Sequence, residues 1–73
     1  GPLDRIPAVA APINRAMATG EIQNWTAGGM EGVVVIGQGY QKGEAVCREG
    51  SILARDGGPE NRTQTFERCS KGP

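Results

Sequence analysis

Residues 47–69 read CREGSILARDGGPENRTQTFERC, and this stretch decides the fold. Its centre, Asp-Gly-Gly-Pro-Glu-Asn at 56–61, is the strongest turn signal in the chain. An antiparallel hairpin centred on Gly58 places Cys47 directly opposite Cys69. Non-hydrogen-bonded pairs in such a ladder have Cα atoms ~4.5 Å apart, a span that a disulfide can bridge. The spacing favours an intrachain disulfide, and two reduced thiols or a bridge between chains are the alternatives.

The same register sorts the side chains of the hairpin onto two faces. Val46, Ile52 and Phe66 share one face, which we expect an N-terminal helix to cover. The register also places Glu49 opposite Glu67 on the other face, and directly opposed like charges are unfavourable in a sheet.

An amphipathic helix is predicted upstream of the hairpin. Val9, Ile13 and Met17 recur at four-residue intervals, the spacing of one helix face. We predict a helix over about 12–19, with a proline in its first turn and Gly20 as its C-terminal cap. A preceding helical turn over about 4–10, with Asp4 as its N-cap, is the alternative start.

The remaining chain completes an α+β fold. The N-terminal helix is expected to pack on a small three-stranded antiparallel sheet, a meander with one disulfide. The predicted strands are 31–37, 45–55 and 62–69, within a single domain over 3–73. Gly1-Pro2 is interpreted as a remnant of tag removal.

Composition excludes most kinds of functional site. The chain has 73 residues and no histidine, so it cannot form a Ser-His-Asp or Cys-His pair or a histidine metal ligand. Two cysteines without histidine cannot build a Cys₂His₂ or Cys₄ zinc site within one chain. Eight basic and eight acidic residues cancel, which argues against nucleic acid as a partner. We therefore expect no catalytic residues, no cofactor, no metal, no nucleic-acid partner and no direct membrane span.

The order of motifs along nearly the whole chain resembles the C-terminal globular domain of the 17 kDa-type bacterial surface antigen family. Proteins of that family belong to the cell envelope and are often lipoproteins. The residues that carry the resemblance are, in order, Asn14-Arg15-Ala16-Met17-Ala18-Thr19-Gly20, Trp25, Gly32-Val33, Tyr40, Gly43, Cys47-Arg48-Glu49 and Cys69.

This resemblance implies a location and an architecture more than a chemistry. It implies a domain in the bacterial periplasm or on the outer-membrane surface, with any lipid anchor outside these residues. We expect a non-catalytic domain that acts in envelope structure or binds an envelope protein. The alternatives are a small periplasmic protein inhibitor or an accessory component of a secretion machine, and a cytosolic redox sensor using Cys47 and Cys69.

A candidate partner-binding edge lies in the first predicted strand. Its residues carry no charge, and an uncharged strand edge can accept another strand, from a partner or a second copy. The candidate residues are Val33, Val34, Val35 and Ile36, with Trp25 and Tyr40 as flanking aromatic anchors. Continuous Val/Ile runs also mark central, fully paired strands, so that alternative stays open.

Overall fold

A computed structural model describes residues 2–71. Its elements are a 3-10 helix Leu3–Arg5, helix α1 Pro7–Thr19, and strands β1 Gln23–Ala27, β2 Met30–Lys42, β3 Ala45–Arg55 and β4 Asn61–Lys71. Gly1 of the proposed tag remnant, and residues 72–73 of the proposed domain, lie outside the described residues.

Helix α1 begins earlier than the predicted start at residue 12. Pro7 occupies the first turn, where its missing N–H is not needed, and Pro12 lies inside the helix. Pro12 leaves the carbonyl of the exposed Ala8 without an intrahelical donor. The helix continues through this position because its apolar stripe is buried against the sheet. The buried stripe consists of Val9, Pro12, Ile13 and Ala16.

The predicted end of the helix is confirmed at Gly20. This glycine has φ 75°, the left-handed conformation that other residues rarely adopt, and its N–H donates to the carbonyl of Ala16 at 2.7 Å.

A helix on an antiparallel sheet is confirmed, but the sheet formed by residues 2–71 has four strands rather than the predicted three. The strand order is β1-β2-β3-β4, so each strand pairs with its neighbour in sequence. The strand that was not predicted is β1, which pairs with β2 from Gln23↔Val34 to Ala27↔Met30. Its five residues include few strand formers, and Gly28 with φ 60° turns the chain directly into β2.

The structure has the predicted hairpin register between β3 and β4. Cys47 pairs with Cys69, and Gly50 pairs with Phe66. Strand β3 has the predicted bounds, whereas β4 extends two residues past the predicted end. Strand β2 ends at Lys42 rather than at the predicted residue 37. Its register with β3 shifts between Ile36 and Gly39, as at a β-bulge, and the pairing then continues to Lys42.

The core lies between α1 and the sheet face that carries Ile52, which we call the helix face. The buried cluster comprises Leu3, Val9, Ile13, Ala16, Trp25, Val34, Ile52 and Ala54, with Ile36 and Phe66 packed against it. Val46 shares this face, as predicted, but is 50% exposed, so the helix does not cover it. A helix of this length spans ~20 Å, whereas the molecule is 43 Å long, so α1 leaves the Val46 end of the sheet bare.

Candidate functional site

The opposite face, which we call the open face, carries the disulfide. Cys47 and Cys69 are joined and directly opposed, with a Cα–Cα distance of 4.0 Å, shorter than the ~4.5 Å typical of a non-hydrogen-bonded antiparallel pair. The two halves of the bond differ in their surroundings. Cys47, in the interior strand β3, is fully buried, while Cys69, in the edge strand β4, is exposed.

Three side chains form a polar cap beside the disulfide. Tyr40 is the β2 partner of Cys47, and its hydroxyl donates to Glu67 on β4. The tyrosine side chain therefore crosses β3 next to Cys47. Lys42 also reaches Glu67, with Nζ 3.3 Å from Oε1. We call Tyr40, Lys42 and Glu67 the cap.

The cap shifts the ionisation of two of its members in opposite directions. The hydrogen bond to the Glu67 carboxylate raises the pKa of Tyr40 to about 12 from its ordinary value of 10.0. The same bond, followed by the one from Lys42, lowers the pKa of Glu67. At neutral pH the Tyr40 phenol is therefore neutral and Glu67 is a carboxylate.

Glu67 and the two cysteines come close enough to suggest a metal site. Their ligand atoms lie within 4.8 Å of one another. Both sulfurs are bonded to each other, however, and only a thiolate is a strong metal ligand. In the oxidised chain this cluster offers a single carboxylate, which Tyr40 and Lys42 already engage.

The structure corrects the predicted partner-binding edge. Val33 and Val34 pair with β1 on one side and with β3 on the other, so they do not lie at an edge. Within the described part of the chain, Val35 and Ile36 pair with β3 and have no partner on the β1 side. A role of these residues in binding remains a prediction.

A free strand edge does exist in β2, beyond the end of β1. Strand β1 covers β2 only up to Val34, because β1 begins at Gln23. Among residues 2–71, no backbone hydrogen bond reaches 35–42 from the β1 side. The neighbouring Ile22 is 63% exposed and adds apolar surface beside this edge.

The two predicted aromatic anchors have different surroundings. Trp25 is 4% exposed and belongs to the core, so it cannot anchor a partner at the surface. Its Nε1 has no hydrogen-bond partner. Tyr40 lies half-buried on the open face and is engaged by Glu67.

A depression of about 430 Å³ opens between the ends of β1, β2 and β3. Most of the residues that line it belong to the open face. They are Asn24, Trp25, Thr26, Glu31, Gly32, Val33, Leu53, Ala54, Arg55 and Asn61. Its charged groups pair with each other, with Arg55 Nη2 3.3 Å from Glu31 Oε1, so it contains no free carboxylate to act as an acid or base.

Two arginines of the β3–β4 hairpin lie on the opposite face from two of its glutamates. Arg48 and Arg68 pair directly on the helix face, while Glu49 and Glu67 pair on the open face. Arg48 donates to the carbonyl of Met17 at 3.4 Å, at the C-terminal end of α1, where a cation is favourable. The guanidinium of Arg68 lies 5.7 Å from the centre of the Phe66 ring. The sequence did not assign either contact.

Comparisons with models of protein families, with curated proteins and with solved structures gave no match for this chain. Among residues 2–71, neither helical segment has the length and apolar character needed to cross a membrane.

Proposed function

We propose that this chain is a non-catalytic, extracytoplasmic domain of a bacterial envelope protein similar to the 17 kDa-type surface antigens, acting in structure or protein binding. The observation that carries the proposal is the disulfide between Cys47 and Cys69. Such bonds persist in oxidising compartments, and small domains with a limited core depend on them. The core here consists of one short helix against one sheet face.

The surroundings of the carboxylates support a non-catalytic role. A general acid needs a raised pKa, which burial or a second carboxylate would supply. Glu67 instead has a lowered pKa, and Glu31 is paired with Arg55 at the surface. We expect the purified domain to show no turnover of peptidoglycan, peptides or esters. Robust hydrolysis that a Glu67→Gln variant abolishes would contradict this.

The location is tested by fractionating the native host cells. An antibody against the domain should detect it in the envelope fractions. Alkylation with a mass-tagged maleimide should modify Cys47 and Cys69 only after reduction. Recovery from the cytosol with two free thiols would overturn the proposal.

A small periplasmic inhibitor or an accessory component of a secretion machine is the second candidate. The free edge of β2 favours it, because an extended segment of a partner can add there as a strand, in line with β1. No charged residue precedes Lys42 along this edge. The test is amide exchange at 35–42, which a bound strand would slow and a partner bound elsewhere would leave unchanged.

A further inference from the structure

The disulfide is accessible from one end only. Cys47 has no exposed surface, whereas Cys69 is exposed. The difference follows from the strand order within residues 2–71, because β3 has a neighbouring strand on each side and β4 has one on one side only.

Thiol–disulfide exchange makes this difference chemically important. A thiolate attacks one sulfur of the bond, and the other sulfur leaves. The attacking group approaches in line with the S–S bond, from the side opposite the leaving sulfur. The outcome therefore depends on what stands behind each sulfur.

Cys47 is fully buried, so an external thiol has no open approach to its sulfur. Its partner on β2 is Tyr40, whose side chain crosses β3 to place its hydroxyl on Glu67. Cys69 lies on β4, the edge strand of the sheet formed by residues 2–71. No strand of that sheet therefore stands on the side of Cys69 that faces away from Cys47.

We propose that Cys69 is the sulfur through which this disulfide exchanges with external thiols. A thiolate, from a monothiol such as glutathione or from the cysteine pair of a dithiol protein, attacks Sγ of Cys69. The Cys47–Cys69 bond breaks, Cys47 leaves as a thiolate, and a mixed disulfide forms at Cys69. A second thiolate then attacks the sulfur of the external thiol, which releases Cys69 and yields the disulfide of the external thiol. Two electrons reach the domain in the complete sequence.

The reverse sequence describes how the bond forms. The exposed Cys69 thiolate attacks the disulfide of an oxidant, and Cys47 then displaces the oxidant from Cys69. The same sulfur therefore contacts the redox partner in both directions, and Tyr40 excludes that partner from Cys47.

The experiment traps the first mixed disulfide. The folded protein is mixed with glutathione, at a concentration that reduces half of it, and quenched with acid at early times. Cleavage after lysine and arginine separates the two cysteines into residues 43–48 and residues 69–71, which mass spectrometry resolves. We expect the adduct on Cys69 at least ten times more often than on Cys47. Equal adducts, a preference for Cys47, or no exchange under conditions that open the bond in the unfolded protein would overturn the proposal.

Two variants test the role of the tyrosine side chain. Tyr40→Phe keeps the ring and removes the hydroxyl, so the preference for Cys69 should persist. Tyr40→Ala uncovers the space behind Cys47, and adducts on Cys47 should rise severalfold. Dithiothreitol in place of glutathione tests a dithiol, for which reduction rates should rise in Tyr40→Ala and stay unchanged in Tyr40→Phe. If Tyr40→Ala fails to fold, the adduct ratio in Tyr40→Phe and the wild type still decides the proposal.

Discussion

Glu49 and Glu67 lie directly opposite each other in the β3–β4 pair, on the open face. Opposed like charges destabilise a sheet. Here Glu67 is held by Tyr40 and Lys42, both from β2, two strands away. The ammonium group and the phenol offset the repulsion, so the register that joins the cysteines does not need to shift.

The cap predicts an unusual titration of the only tyrosine in the chain. We expect Tyr40 in the folded protein to ionise with a midpoint of about 12, because its neutral hydroxyl donates to Glu67. Glu67→Gln removes the charge and should return the midpoint toward 10.0. The measurement is tyrosinate absorbance, with circular dichroism to verify the fold. A wild-type midpoint near that of free tyrosine would show that the bond is absent in solution.

The same shifts give the pH dependence of stability. Since the pKa of Tyr40 is raised on folding, Tyr40 adds to the free energy of unfolding. This contribution is complete below pH 10.0 and is lost as the pH rises through about 12. Since the pKa of Glu67 is lowered on folding, its contribution is complete above its ordinary value of 4.5 and is lost in more acidic solution. Urea titrations at a series of pH values measure the free energy of unfolding. In the wild type it should fall in both the alkaline and the acidic range, and in a Tyr40→Phe, Glu67→Gln double variant these two losses should be absent.

Reduction of the disulfide should destabilise the domain strongly. The cysteines are separated by 22 residues, and closing a loop of that size stabilises a protein by about 3 kcal/mol in the chain-entropy model. For a domain of this size, that corresponds to a fall in thermal midpoint of roughly 12–24 °C. Thermal scans with and without reductant provide the measurement. A Cys47→Ser, Cys69→Ser double variant with the same thermal midpoint as the oxidised wild type would contradict the expectation.

The β3–β4 hairpin could be predicted from sequence because its signals are local and agree with each other. A dense turn signal fixes the centre, and the pairing of Cys47 with Cys69 then follows from residue spacing. The end of α1 at Gly20 was predictable for a similar reason, because glycine is favoured in the left-handed cap.

The rest depends on tertiary contacts that a local pattern does not contain. Strand β1 is short, and it is stabilised by Trp25, which packs across Gly32 into the core. The helix passes through Pro12 because burial against the sheet outweighs a lost hydrogen bond. The cap was missed because Tyr40 and Glu67 lie 27 residues apart and meet only across β3.

The packing of Trp25 makes Gly32 a sensitive position. A Cβ at Gly32 would collide with the backbone oxygen of Leu53 and lie 2.7 Å from Cζ2 of Trp25. We expect Gly32→Ala to cost about 1–3 kcal/mol, as for overpacking. Gly29→Ala is the matched control, because nothing lies within 4 Å of its added Cβ. Urea unfolding followed by circular dichroism measures both, and equal midpoints for the two variants would contradict the packing argument.

The free edge of β2 predicts a sharp change in amide exchange along one strand. Residues 31–34 have a neighbouring strand on each side, and their amides should be deeply protected. Over 35–42, only the amides that point toward β3 have a partner strand, so alternate residues should exchange fast. Exchange is measured on the dilute oxidised domain and repeated at high concentration. Slowing at 35–42 on concentration would identify strand addition by a second copy. Uniform deep protection of 35–42 in the dilute monomer would show that another segment covers the edge, and strand addition would have to be abandoned as the binding mode.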